Sequence, residues 1–255
     1  MGIFFSPSEP LRAGGTLSIY EPSPLRRIRL AVELLLLYVG APLAMTTAVH
    51  DYRLPVFIAL VPALVFVMCF LLIDPTFSLK NELNRGFGVR TILSILTVFI
   101  IGGGAVALFI FHYHPNWLFE FPRNRPQTYT RVMLLYPAMS VVVQEFVYRT
   151  FYFHRYGPLF GNAWWLAILL NGALFGFGHI VIGTQLAVLG TVVAGTLFAI
   201  RYALTRSFWA VFLEHTLWGA LVFTVGLGRF FYGRSDLRLA LVASPRCIEK
   251  VATIG

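Results

Sequence analysis

Hydrophobic runs recur along the chain, separated by short stretches rich in proline, glycine, aromatic and basic residues. A helix needs roughly 20 mostly apolar residues to cross the hydrocarbon core of a bilayer. Runs of that kind fall at about Ile28–Val49, Pro55–Ile73, Thr91–Tyr113, Val132–Phe153, Ala163–Gly183, Leu186–Leu204 and Phe208–Leu227. Their borders carry aromatic and Pro/Gly punctuation, as at Tyr52 to Pro55, Asp74-Pro75, Pro115 to Trp117 and Tyr156 to Pro158. Trp164, Trp165 and Trp209 stand where interfacial tryptophans are expected. The pattern predicts an all-α fold, a polytopic membrane helical bundle of about seven transmembrane helices over residues 28–228. A mobile polar arm, 1–27, is expected before it and a polar tail, 229–255, after it. Met1 to Pro24 is broken by Gly, Ser and Pro and has no apolar core ahead of Arg26, Arg27 and Arg29, so it does not read as a signal peptide.

Composition sharpens this. With 58% hydrophobic and 12% charged residues, the chain has too little polar surface to coat a soluble globule of its size. The net charge of +9 is spread over termini and short connections, which suits anionic lipid headgroups. No basic helix with interleaved aromatics suggests nucleic acid as a partner. Cys69 and Cys247 are too few and too differently placed for a disulfide or metal framework. The cluster Arg26 to Arg29, against a lone Arg53 after the first run, favours a cytoplasmic N-terminus. The expected location is multi-pass in a membrane, in a bacterium the cytoplasmic one.

Three polar islands interrupt the later runs: Gln144-Glu145 with Arg149, Asn171 with His179, and Glu214-His215. Ionisable groups at bilayer depth cost several kcal/mol unless partnered, so they are rare and usually functional. Glu145 and Arg149, four apart, share a helix face and can pair. Phe175 and His179 have the same spacing, with Gly176 and Gly178 leaving room beside the imidazole, and His215 and Gly219 repeat it. Bundling converges these faces in one cavity. A buried carboxylate is a fitting base near neutral pH, and pairing with Arg149 opposes that for Glu145, which leaves Glu214 as a second candidate. Two histidines and Glu145 or Glu214 also suffice for a three-ligand zinc site. Glu33 is expected to pair with Arg29 or reach toward the interface, Asn171 to join helices, and His112, His114 and the run Phe230, Phe231, Tyr232 to lie at the interface.

The order Gln144-Glu145-x-x-x-Arg149, Phe175-x-x-x-His179, His215-x-x-x-Gly219 resembles the three motifs of the CPBP intramembrane proteases, the CAAX prenyl protease and bacteriocin-processing family. Those motifs read Glu-Glu-x-x-x-Arg, Phe-x-x-x-His and His-x-x-x-Asn, and the resemblance covers Val132 to about Gly228. It implies an α-helical membrane endopeptidase acting on a membrane-associated or lipid-tethered polypeptide, with no cofactor or with a divalent metal such as zinc. It places water activation at Gln144 with His179 and oxyanion stabilisation at His215, with Gly219 where the family has Asn. A glutamine amide is no base near pH 7, so Glu145 or Glu214 takes that task, or the protein is a catalytically silent relative that binds a membrane partner as an immunity or assembly factor. A small transporter is a further alternative, though no inverted repeat supports it.

Overall fold

Ser23 opens the first helix, its hydroxyl accepting the Arg26 N–H at 3.4 Å, and Pro24 occupies a first-turn position where no N–H is needed. The computed structural model describes residues 23–231; the expectations for 1–22 and 232–255, including Tyr232 and Cys247, lie outside the described residues. Helix α1, Pro24–His50, is followed by α2, Val56–Ile73, the short α3, Leu79–Asn84, and α4, Val89–Tyr113. After the short α5, Glu120–Asn124, the long α6 spans 126–156. Helix α7, Trp164–Gly178, ends in a 3₁₀ turn, His179–Ile182, and α8, Gln185–Thr205, and α9, Phe208–Thr224, complete the bundle. Among the described residues there is no strand.

The chain is thus the all-helical, polytopic membrane bundle that its pattern predicts. Pro24–His50, Val89–Tyr113, Trp164–Ile182 and Gln185–Thr205 are long and apolar enough to cross a membrane, and Ile58–Ile73 and Phe208–Thr224 are shorter apolar helices. Their outer faces expose large apolar side chains such as Ile100, Ile101, Leu189 and Val193, as a lipid solvent requires. The polar stretch Pro115 to Arg131 is itself helical. A 3₁₀ turn, Pro115–Trp117, and α5 lead directly into α6, and Phe119 N–H donates to Thr224 C=O at 3.1 Å.

Two antiparallel pairings place the chemistry. Helix α6 runs against α9, with Tyr129 hydroxyl on Thr224 Oγ1 at 2.8 Å near one end and the Phe146 and Phe208 rings 4.6 Å apart near the other. It also runs against α7, where Tyr152 hydroxyl donates to Ala167 C=O at 3.1 Å. Helices α7 and α8 cross closely because Gly172 and Gly176 carry no side chain. A Cβ at Gly172 would strike Thr196, and one at Gly176 would strike Val192. On the reverse side Gly195 makes room for Phe175.

Ties between polar groups, some buried and some half-buried, fix the remaining helices. Glu33 does not pair with Arg29; it accepts both Nε and Nη2 of Arg155, at 2.9 and 2.8 Å, and the Tyr156 hydroxyl at 3.1 Å. The reason is packing, since α1 lies against the end of α6 and offers Glu33 a bidentate partner. Glu82 of α3 is buried and accepts Tyr202 hydroxyl at 2.7 Å and Thr150 hydroxyl at 3.0 Å. Asp74 joins the α2–α3 turn to α6 through His154, at 3.3 Å. Burial alone would raise the Asp74 carboxyl, but the Thr76 hydroxyl and N–H and the His154 ring outweigh it and hold the group below its usual range. A lowered folded value means this tie is intact above the ordinary carboxylate range and is lost as acid takes the pH down through that value.

The α7–α8 crossing sets a stability expectation. Gly176→Val should destabilise the protein by roughly 1–3 kcal/mol through overpacking. Gly104→Ala, where a Cβ meets open space, should not lower it. Thermal unfolding in detergent micelles checks both.

Candidate active site

The motif of α6 is set in an irregular helix. Its α-helical turns Pro126–Tyr136 give way to a π-helical turn, Pro137–Val141, then to Val142–Glu145 and a second π-helical turn, Phe146–Phe151. A widened turn leaves carbonyls poorly paired, and in a bilayer each needs a donor. Two side chains supply them: Tyr38 hydroxyl donates to Val147 C=O at 2.6 Å, and Asn171 Nδ2 to Tyr148 C=O at 2.6 Å. Asn171 therefore joins α7 to α6 at the turn that carries Arg149.

Glu145 and Arg149 are both wholly buried and face each other, Oε2 to Nε at 3.4 Å. This is an ion pair without hydrogen-bond alignment. The guanidinium lies over the Phe175 ring at 4.6 Å and the Phe198 ring at 5.6 Å, so aromatic faces from α7 and α8 supply much of its solvation. The other carboxylate oxygen, Oε1, accepts a hydrogen bond from His215 Nδ1 of α9 at 2.7 Å. A carboxylate can only accept, so Nδ1 carries the hydrogen and the opposite nitrogen, Nε2, keeps its lone pair. Phe198 stacks on this imidazole at 4.6 Å, and Phe175 meets it edge-on at 5.6 Å.

His179 reaches the same aromatic ring. It begins the 3₁₀ turn after α7, its ring 4.8 Å from that of Phe175, and its Nδ1 donates to Phe175 C=O at 2.8 Å. Its Nε2 is again the lone-pair nitrogen. Phe175 thus touches both imidazoles and the guanidinium, which is why a phenylalanine four residues before His179 matters to the site.

The remaining sequence candidates divide. Gln144 donates from Nε2 to Ser140 Oγ at 2.8 Å, one turn back along α6, and its buried Oε1 has no partner among the described residues. Gly219 lies one turn beyond His215, and a Cβ there would run into the Tyr136 hydroxyl and ring. Glu214 is not brought to the two histidines. It is wholly buried and gripped by Arg201 of α8, Oε2 to Nε at 2.9 Å and Oε1 to Nη2 at 3.1 Å. Neighbouring residues on a helix point about 100° apart, so α9 sends Glu214 to α8 and His215 to α6. Arg201 is not among the polar islands that the sequence singles out. Its place inside the sixth hydrophobic run is the sequence signal that could have revealed this pair.

The zinc alternative needs three donors directed at one point. No group of three or more His, Cys, Asp or Glu side chains among the described residues is arranged to hold a metal ion. The donor chemistry explains this: Glu145 Oε1 is engaged by His215 Nδ1, and Glu214 by Arg201. These residues do not fit a three-ligand zinc site.

The buried pair makes a measurable demand. Arg149→Met leaves the Glu145 charge uncompensated, with an expected loss of about 3–5 kcal/mol, and adding Glu145→Gln should recover part of it. Unfolding of the variants in micelles checks this. Zinc content by mass spectrometry is expected to stay well below one ion per chain after exposure to zinc and washing.

No curated protein and no solved structure matches the chain. A family model does match, that of the type II CAAX prenyl endopeptidase, Rce1-like, and it aligns with residues 126–221. Glu145, Arg149, Phe175, His179 and His215 all fall inside that match, so the stretch 126–221 is similar to this family, consistent with the resemblance that the motif order carries.

Proposed function

We propose that the protein is an intramembrane endopeptidase that hydrolyses a peptide bond in a membrane-associated polypeptide, with His215 as the base. The observation that carries this reading is the 2.7 Å hydrogen bond from His215 Nδ1 to the buried Glu145 carboxylate. A carboxylate so placed fixes the tautomer of the imidazole and stabilises the imidazolium that forms when Nε2 takes a proton. Glu145 is then the orienting group, held by Arg149, and the absence of a carboxylate at Gln144 is met by using an imidazole as base.

In this scheme a water lies between the two Nε2 atoms. Its oxygen adds to the carbonyl carbon of the scissile bond while one proton passes to His215 Nε2, and His179 Nε2 accepts its other hydrogen and orients it. The carbon–nitrogen bond then breaks as His215 returns that proton to the departing nitrogen, leaving a carboxylic acid and an amine. The aromatic walls of Phe175 and Phe198 exclude bulk water and strengthen these interactions. A lipid-modified polypeptide of the CAAX type is the substrate class that the matched family's description points to. A second reading, a silent relative that binds a membrane partner, draws support from one observation: both Glu145 and Glu214 are committed to buried ion pairs.

Comparing new peptide termini in membranes that contain wild type or Glu145→Gln separates the two readings by mass spectrometry. Peptides whose termini depend on wild type are expected, and they should vanish in His215→Ala and fall at least about 100-fold in His179→Ala. Identical peptide sets for wild type and Glu145→Gln would sink the protease reading and leave the binding one.

A further inference from the structure

Five tyrosine hydroxyls in this bundle are spent on protein partners. Tyr38 donates to Val147 C=O, Tyr152 to Ala167 C=O, Tyr156 to Glu33 and Tyr202 to Glu82, while Tyr129 pairs with Thr224. Two tyrosines of α6 near the site keep a hydroxyl unspent among the described residues: that of Tyr148 lies against Gly178, before His179, and that of Tyr136 lies on the His215 side. Tyr136 is half-buried beside His215, with ring centroids 6.1 Å apart and the planes at 76°, and its hydroxyl makes no hydrogen bond with a described residue. Phe223, 5.3 Å away and nearly perpendicular, fixes the ring on its other side. The hydroxyl stands where a side chain at position 219 would begin, so Gly219 is what admits it to the site.

The two imidazoles supply no donor to the site, and the Arg149 N–H groups, without a hydrogen-bond partner among the described residues, are packed against the Phe175 and Phe198 rings beside Glu145. Both imidazoles have committed their N–H, His179 to Phe175 C=O and His215 to Glu145, and their free nitrogens are acceptors. Addition of water to a carbonyl concentrates negative charge on the former carbonyl oxygen, and that charge needs a hydrogen-bond donor aimed at it. A phenol offers one hydrogen, remains neutral near pH 7 and here gives up no protein partner to do so.

We infer that Tyr136 is the oxyanion donor of the site, its hydroxyl reaching the tetrahedral intermediate through the space that Gly219 leaves open. This rests on the peptidase reading above. It assigns a catalytic task to a residue outside the three motifs and gives Gly219 a physical role.

The test uses the full-length protein in liposomes and a farnesylated CAAX peptide with a fluorophore and quencher on either side of the scissile bond. Tyr136→Phe should lower kcat by about 100-fold to 1000-fold and leave KM within about twofold, the signature of a donor used only after substrate is bound. Because the hydroxyl has no partner among the described residues, the unfolding midpoint should not move, whereas Tyr202→Phe, which strips Glu82 of a donor, should lower it. Tyr129→Phe, two turns away with its hydroxyl on Thr224, should retain kcat. If Tyr136→Phe hydrolyses the peptide at the wild-type rate while Glu145→Gln is inert, the assignment of Tyr136 falls and the peptidase reading stands. If wild type itself is as inert as Glu145→Gln toward this peptide and yields no termini of its own in membranes, the peptidase reading falls and takes the assignment with it.

Discussion

A carboxylate and a guanidinium that are both fully removed from solvent, inside helices whose outer faces are apolar, constrain everything around them. Neither charge is tolerable alone at that depth, and the pair by itself is not enough, because the geometry between Glu145 and Arg149 lacks hydrogen-bond alignment. The surroundings make up the difference. Phe175 and Phe198 present their faces to the cation, and His215 donates to the anion. The widened turn that carries Arg149 is stabilised in turn by Tyr38 and Asn171, which satisfy its carbonyls. Helices α1, α7, α8 and α9 are thus each tied to one turn of α6.

That dependence explains what was legible in the sequence. The bundle could be read from run lengths, since spanning a bilayer fixes both the number of apolar residues and their helical state. Glu145 with Arg149 was legible because i, i+4 spacing is a local property, and the two histidines through the order of the motifs. Partners on other helices were not. Glu33 meets Arg155 across 122 positions, Glu82 meets Tyr202 across 120, and nothing local announces either. Glu214 illustrates the limit best. Adjacent to His215, it looked like a member of the same site, yet one residue of helix rotation directs it to Arg201. The glycines were half legible: their positions suggested close approach, but only the packed bundle reveals that Gly176 admits Val192 of α8, and Gly219 a tyrosine.

The residue at which the chain departs from the first CPBP motif, Gln144, faces away from the histidines. Gln144 turns back to Ser140 along its own helix, and the carboxylate next to it is the one that meets an imidazole. The tautomers of the two imidazoles are set by acceptors, a backbone carbonyl for His179 and a carboxylate for His215. Both leave the same kind of nitrogen free.

The divergence of Glu214 and His215 has a mechanical consequence. Helix α9 is gripped on one flank by Arg201 of α8 and on another by Glu145 of α6, at adjacent residues. Rolling α9 about its own axis would break two buried charge contacts at once, so it behaves as a fixed wall. Helix α4 meets it chiefly through apolar surfaces, with Phe99 against Trp218 and Gly103 beside Leu221. The same Arg201 also donates from Nη1 to Ser94 Oγ of α4 at 3.2 Å, so the cation that holds α9 against rotation also ties α4 to the wall that α9 forms with α8.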